Sequence, residues 1–271
     1  MKLLRLATIA ALSTTVLAGG ASAVLANEVR DVTTDGKIEF RPAGEEDGPL
    51  EVIPPETGPD APDVEIDPEG AGTTGPLSIM KAATMNFGTQ VISNQEQTYN
   101  MVAEMARLAN PKEDGPTHVP YVSFAQVQDL RGTNAGWDLK VSLSDFEAPE
   151  AQNKILTGAQ ITFANAQLRY EGSNTDNAPT VHQAGLTLLP NGAARSVMTA
   201  AQGQGAGASS VIWGDQADLT AQFEAEGFNS ETDVVENNAI QLSIPGSTAK
   251  DATTYTSTLT WELNSTPGDE L

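Results

Sequence analysis

The sequence predicts an all-β protein: a single β-sandwich or barrel-like domain of short antiparallel strands, preceded by a disordered acidic linker. Three observations lead there. Two stretches more than a hundred residues apart alternate strictly between apolar and polar positions, and each carries a Trp-x-Leu triplet. Around them, short runs of β-branched and aromatic residues are separated by breaks rich in Gly, Pro and Asn. An early stretch, by contrast, is acidic, proline-rich and poor in large apolar side chains.

The alternating stretches come first. In Tyr255-Thr-Ser-Thr-Leu-Thr-Trp-Glu-Leu263, the residues Tyr255, Ser257, Leu259, Trp261 and Leu263 share one face. In Trp137-Asp-Leu-Lys-Val-Ser-Leu143, Trp137, Leu139, Val141 and Leu143 share one face, with Asp138, Lys140 and Ser142 on the other. A period of two places successive side chains on opposite sides of a strand, so both segments read as half-buried strands.

The 271-residue chain opens with Lys2 and Arg5, a largely apolar run from Leu6 to Leu17, and small residues at Ala21-Ser-Ala23 and Val24-Leu-Ala26. That is the pattern of a secretory signal peptide, residues 1–26, with cleavage expected after Ala26 and Ala23 as the alternative. No later apolar run approaches the ~20 residues of a membrane-spanning helix, so no integral membrane segment is expected. There is no cysteine, so an exported chain of this kind must be held by its core or by a metal. The net charge is −22, and −24 without the leader, whose only charges are Lys2 and Arg5. Such a chain is repelled by nucleic acid and by anionic lipid, and nucleic acid is excluded as a partner. Neutral glycans, cationic surfaces and proteins remain open.

Residues 27–76 hold fourteen acidic and three basic residues and eight of the sixteen prolines. Like charges and proline favour an extended spacer over a packed core. Lys37-Ile-Glu-Phe40 is the one short strand pattern within it. Pro54-Pro-Glu-Thr-Gly58 resembles a sortase sorting signal but has Pro in place of the leading Leu and lacks a following apolar tail. Attachment to a wall is therefore expected to be non-covalent.

A domain is expected over 77–266, with 267–271 a short tail. Leu77-Ser-Ile79 alternates. Met101–Leu108 is rich in helix formers and by itself predicts a helix, whereas its surroundings argue for a strand. Val119–Leu130 alternates loosely, and Arg131–Gly136 reads as the turn of a hairpin leading into the first Trp-x-Leu strand. Strand pieces follow at 159–163, 166–170, 181–189, 211–213 and 239–244. Pro245-Gly246 opens a loop that reads as the turn of a second hairpin, ending in the last strand.

Chemically the chain predicts a binding protein, not an enzyme. Only two histidines, His118 and His182, are present. No H-E-x-x-H, nucleophile elbow or P-loop occurs, so no catalytic residue, cofactor or metal is assigned. The carboxylate pairs Asp145/Glu147 and Glu224/Glu226, and a calcium site near Asp215 and Asp218, rest on residue type alone in a chain with 36 acids. Asn264-Ser-Thr266 matches a glycosylation acceptor. The tryptophans are the better candidates. Exposed aromatics stack on sugars and anchor protein contacts, whereas Trp137 and Trp261 share their faces with leucines and valine, as in a core. The rings are expected to pack inward, with neighbouring polar positions making the contact.

Several features together resemble the WxL-domain cell-surface proteins of low-GC Gram-positive bacteria. They are the leader and acidic spacer ending Gly72-Thr-Thr-Gly-Pro-Leu-Ser-Ile79, Asn86-Phe-Gly88, Val127-Gln-Asp-Leu-Arg-Gly132 before Gly136-Trp-Asp-Leu-Lys-Val141, Leu156-Thr-Gly-Ala-Gln-Ile161, and the terminal Tyr255–Leu263. The resemblance covers nearly the whole chain after the leader. It implies a non-enzymatic, β-rich domain that attaches to the cell wall by binding peptidoglycan. It also implies surface complexes with other WxL proteins and with membrane-anchored partner proteins. The motif residues it singles out, as structural or wall-binding, are Trp137, Asp138, Leu139, Trp261, Glu262 and Leu263. Asn94 to Thr117 is a departure from the family pattern, with the helix-like Met101–Leu108 where the family usually shows a strand and a polar loop.

Overall fold

The computed structural model describes residues 36–43, 51–56, 61–66 and 72–267. The expected signal peptide, residues 268–271 of the tail and the remainder of the acidic spacer lie outside the described residues. Two units are distinguished, with a boundary after Glu39. Within the first, Gly36–Glu39 are described and form no strand, and Ile38 is exposed. The strand read at Lys37–Phe40 is therefore not formed among the described residues, where Phe40 too is exposed.

The second unit is all-β. Its strands are β1 (Val64–Glu65), β2 (Leu77–Lys81), β3 (Gln97–Val102), β4 (Glu104–Leu108), β5 (His118–Tyr121), β6 (Ser123–Asp129), β7 (Trp137–Leu143) and β8 (Gln160–Phe163). They continue with β9 (Gln167–Tyr170), β10 (Thr180–Val181), β11 (Leu186–Leu188), β12 (Arg195–Ala200), β13 (Gly207–Trp213), β14 (Glu236–Ile244) and β15 (Leu259–Asn264). One helix, α1 (Gln216–Phe223), lies between β13 and β14.

All strand pairings are antiparallel, and they make four separate sheets: β2-β6-β13-β9, β11-β8-β14-β3, β10-β12-β7-β15 and β1-β4-β5. The arrangement is propeller-like, with four small blades, and not the expected sandwich or barrel. The reason lies in β6 and β13. Ala125, Val127, Val211 and Trp213 enter one core, while Phe124 and Ile212 on the opposite faces enter a second. A sheet apolar on both faces needs cover on both sides, so two stacked layers cannot satisfy it. The second core is closed by β1, β4 and β5 with Leu219 of α1.

The two expected hairpins are not formed. β6 pairs with β2 and β13, whereas β7 pairs with β12 and β15. β14 pairs with β3 and β8, leaving β15 to pair with β7. Among the described strands, only β4 and β5 are both consecutive and paired. The turn residues at 131–136 instead carry the chain from one sheet to another. Arg131 braces this crossing by donating to both carboxylate oxygens of Asp129 (2.9 and 2.8 Å) and to the Gly136 carbonyl (2.8 Å).

Met101–Leu108 is strand, not helix, with β3 and β4 meeting at Ala103. Helix propensity is a weak prior. Here it is overridden by pairing of β3 along β14 and of β4 along β5, which buries Met101 and Ala106. Conversely, α1 was unforeseen. Asp215 caps it, accepting from the amides of Ala217 and Asp218 (2.9 and 3.2 Å).

Part of the acidic stretch belongs to the folded unit. The buried amide of Gln126 donates to the Ile53 carbonyl (2.8 Å), and its oxygen accepts from the Ile53 N–H (3.0 Å). Tyr121 Oη accepts from the Glu56 N–H (2.9 Å). Val64 and Glu65 pair with Leu108 and Arg107. Val52, Val64 and Ile66 pack into the second core. Composition averages over the window and hides these few apolar anchors.

Candidate functional site: the paired Trp-x-Leu strands

The two Trp-x-Leu triplets are brought side by side. β7 and β15 are antiparallel neighbours, with Leu263 opposite Leu139, Trp261 opposite Val141, Glu262 opposite Lys140 and Asn264 opposite Asp138. The leucines of the two motifs thus form one cross-strand pair. Because residues two apart share a face, Trp137 and Trp261 flank that pair on the same face, at opposite ends.

The two rings differ in environment. Trp137 is completely buried, and its indole N–H donates to the Gly205 carbonyl (3.0 Å). That approach requires glycine: Gly205 has φ +76°, and a Cβ there would stand 2.5 Å from the indole nitrogen. Gly136, before the motif, has φ +79° and would place a Cβ 2.4 Å from the Ala200 carbonyl oxygen. Trp261 is half-buried on an edge strand. Its ring lies 6.3 Å from Trp213, which in turn lies 4.9 Å from Phe163. Leu139 is buried and Leu263 half-buried.

The opposite face of the motif strands is polar. Asp138 is buried there. One of its oxygens accepts from Ser196 Oγ (3.0 Å) and pairs with Lys140 Nζ (3.1 Å). Its other oxygen, Oδ1, has no hydrogen-bond partner among the described residues. Glu262 is exposed. The site therefore joins a buried aromatic–aliphatic seam to a polar face that carries Asp138, Lys140 and Glu262.

This geometry accords with one comparison. The family model for the WxL domain, described as surface cell wall-binding, matches residues 27–267. The chain belongs to the WxL family. No curated protein and no solved structure matches it. As a WxL protein it is associated with the cell wall and cell surface, and among the described residues no helix is long and apolar enough to cross a membrane. The matched range takes in the acidic stretch as well as β1 to β15, in keeping with the docking of residues 51–56 and 61–66 on the WxL domain.

Other sequence candidates lie elsewhere in the WxL chain. His118 is exposed, with Nδ1 3.0 Å from Thr117 Oγ1. Asp145 accepts from Asn191 (2.6 Å), and the Glu147 backbone is bridged to Thr256. Glu224 terminates α1, and Asp215 is spent on its cap. An apolar groove of about 910 Å³ runs beside the terminal segment, lined by Phe87, Val91, Ile92, Tyr99, Tyr255 and Leu259 among others. Its residues are scattered from 85 to 259, so no local signal announces it.

Proposed function

We propose that this WxL protein is secreted and attaches non-covalently to the cell wall by binding peptidoglycan through its WxL domain, as a binding protein without catalytic activity. The supporting observation is the adjacency of the two Trp-x-Leu strands within a domain of the surface, wall-binding family. Their apolar seam holds the sheet, and on the polar face the half-buried Lys140 and the exposed Glu262 are placed to hydrogen-bond glycan and peptide, with the buried Asp138 holding Lys140. The acidic charge disfavours direct binding to anionic wall polymers and tolerates a neutral glycan. The chain from Asn27 should co-sediment with purified sacculi at physiological salt, before and after teichoic acids are stripped, and should release neither sugar nor peptide from them. Absence from the pellet would refute wall binding; released fragments would refute the non-enzymatic role.

A second reading is favoured by the apolar groove. Val91 is 88% and Ile92 54% exposed at its margin, and exposed apolar patches of this kind serve protein contacts. In that reading the domain docks onto other WxL proteins or a membrane-anchored partner, and wall retention is indirect. Deleting the partner would then release the protein into the medium, and sacculi alone would not retain it.

A further inference from the structure

A second cleft, of about 850 Å³, lies where β10, the turn after it, β11 and the start of β12 meet. Its size is within the ~300–1,000 Å³ of small-ligand sites. Its lining is unusual for this chain. Against 36 acidic and 14 Lys and Arg residues overall, no lining residue is acidic, and Lys140, Arg195 and His182 all contribute. Thr180, Gln183 and Ser196 add neutral polar groups.

Three features give the cleft a built character. Val181 pairs with Met198, fixing the strand that delivers His182, and Gly185 at φ +92° turns the chain back into β11. His182 is 8% exposed, with its ring tilted against Trp213 and edge-on to Phe163 (centroids 6.1 and 6.4 Å apart), yet neither ring nitrogen has a hydrogen-bond partner among the described residues. A buried polar group left unpaired costs roughly 1–3 kcal/mol. Burial, and then the charge of Arg195, push His182 down to about 4. The ring is therefore neutral at pH 7 and offers one donor and one acceptor.

The charges also select. Lys140 is neutralised on one side by Asp138 at 3.1 Å. Arg195 is exposed and makes no ion pair among the described residues. The cleft thus carries close to one net positive charge inside a strongly acidic molecule. One carboxylate matches it, while a run of phosphodiesters would meet the repulsion of the whole chain.

We propose that this cleft binds a single carboxylate carried on a short wall peptide, with Arg195 receiving the anion, Lys140 supporting it and the His182 imidazole hydrogen-bonding the adjoining amide. This rests on the wall-binding reading and assigns it a pocket. The ring nitrogens are shielded as the ring lies, so binding includes rotation of the imidazole toward the cleft, which supplies a spectroscopic signature.

The test uses the chain from Asn27 and three probes: a soluble disaccharide–stem-peptide fragment with free carboxylates, the same fragment fully amidated, and a glycerol-phosphate oligomer. Calorimetry gives affinities, and NMR follows the His182 ring and the Trp213 indole. The free-carboxylate fragment should bind and move both signals. Amidation, or Arg195→Glu, should weaken binding at least about tenfold, since charge-assisted hydrogen bonds are lost. The melting temperature of Arg195→Glu should match the parent because the side chain is exposed. Equal affinity for the amidated fragment, unmoved His182 and Trp213 signals, unchanged binding by Arg195→Glu, or preference for the phosphate oligomer would each overturn the proposal. If these fail while sacculi still co-sediment, the cleft assignment falls and wall binding stands elsewhere on the domain. If sacculi also fail to bind, the wall-binding reading falls with it.

Discussion

Replacing the two motif tryptophans by alanine should have unequal costs. Trp137 has no exposure, and its indole N–H satisfies the Gly205 carbonyl. Removing it leaves a large cavity and an unpaired buried acceptor, so Trp137→Ala should cost about 3–5 kcal/mol. Trp261 is half-buried on an edge strand, with Trp213 as its ring neighbour. Scaling the truncation cost to the buried part, Trp261→Ala should cost about 1–2.5 kcal/mol. In a domain of this size each kcal/mol moves the melting temperature by roughly 2–4 °C. The first variant should therefore melt about 6–20 °C below the parent, and the second about 2–10 °C below. Urea unfolding followed by tryptophan fluorescence, alongside calorimetry, measures both. A shift under about 2 °C for Trp137→Ala would refute its role as the core anchor. Equal costs would refute the distinction between a central and an edge position. Trp137→Phe removes the donor but leaves a smaller cavity than alanine, and it should cost less than Trp137→Ala.

Four further outcomes are expected. Gly205→Ala forces a side chain into a positive-φ position and 2.5 Å from the Trp137 indole. It should destabilise by at least about 1–2 kcal/mol and alter the near-ultraviolet circular dichroism of tryptophan. Because burial holds His182 at about 4 against 6.5 when unfolded, the unfolded chain takes up the proton first. Its contribution is fully present above pH 6.5 and lost as pH falls toward 4, by roughly 2–3 kcal/mol, so the difference in stability between His182→Gln and the parent should change over that window. Lys81 and Glu104 pair at 2.9 Å with side chains 10% and 18% exposed. Glu104→Gln should cost about 1–3 kcal/mol by weakening the partner of a nearly buried cation, measured by chemical denaturation. Finally, a chain beginning at Gly72 should be less stable than one beginning at Glu51 by at least about 3 kcal/mol, because Val52, Val64 and Ile66 are removed from the second core; identical denaturation midpoints would show those residues to be dispensable.

The candidate site was partly legible before folding. The alternation around Trp137 and Trp261 correctly placed the aromatic residues on the apolar faces, and the repeated triplet in its setting pointed to the WxL family. Nothing local pointed to His182. It follows a two-residue strand, and its isolation from hydrogen-bond partners is created by Trp213 and Phe163, which arrive from distant parts of the chain. Gly205 was likewise only one glycine in a glycine-rich run. Its purpose is visible once the indole of Trp137 stands against its carbonyl.

What the sequence alone determined is the class of structure and the facing of its strands. Period-two alternation is a property of neighbouring residues, so the inward set of β7 and β15 follows from order alone. Partner choice is not local. Whether Trp137–Leu143 pairs with the strand before it or with one more than a hundred residues later depends on which faces are left uncovered after every sheet is placed. Strands β6 and β13, apolar on both sides, demanded a second core and divided the fold into four small sheets instead of two layers. The same competition for cover turned a helix-favouring stretch into β3 and β4 and drew part of an acidic spacer onto the domain. Only the tertiary structure decided those matters, because burial of apolar surface is summed over the whole molecule and outweighs the propensities of any one segment.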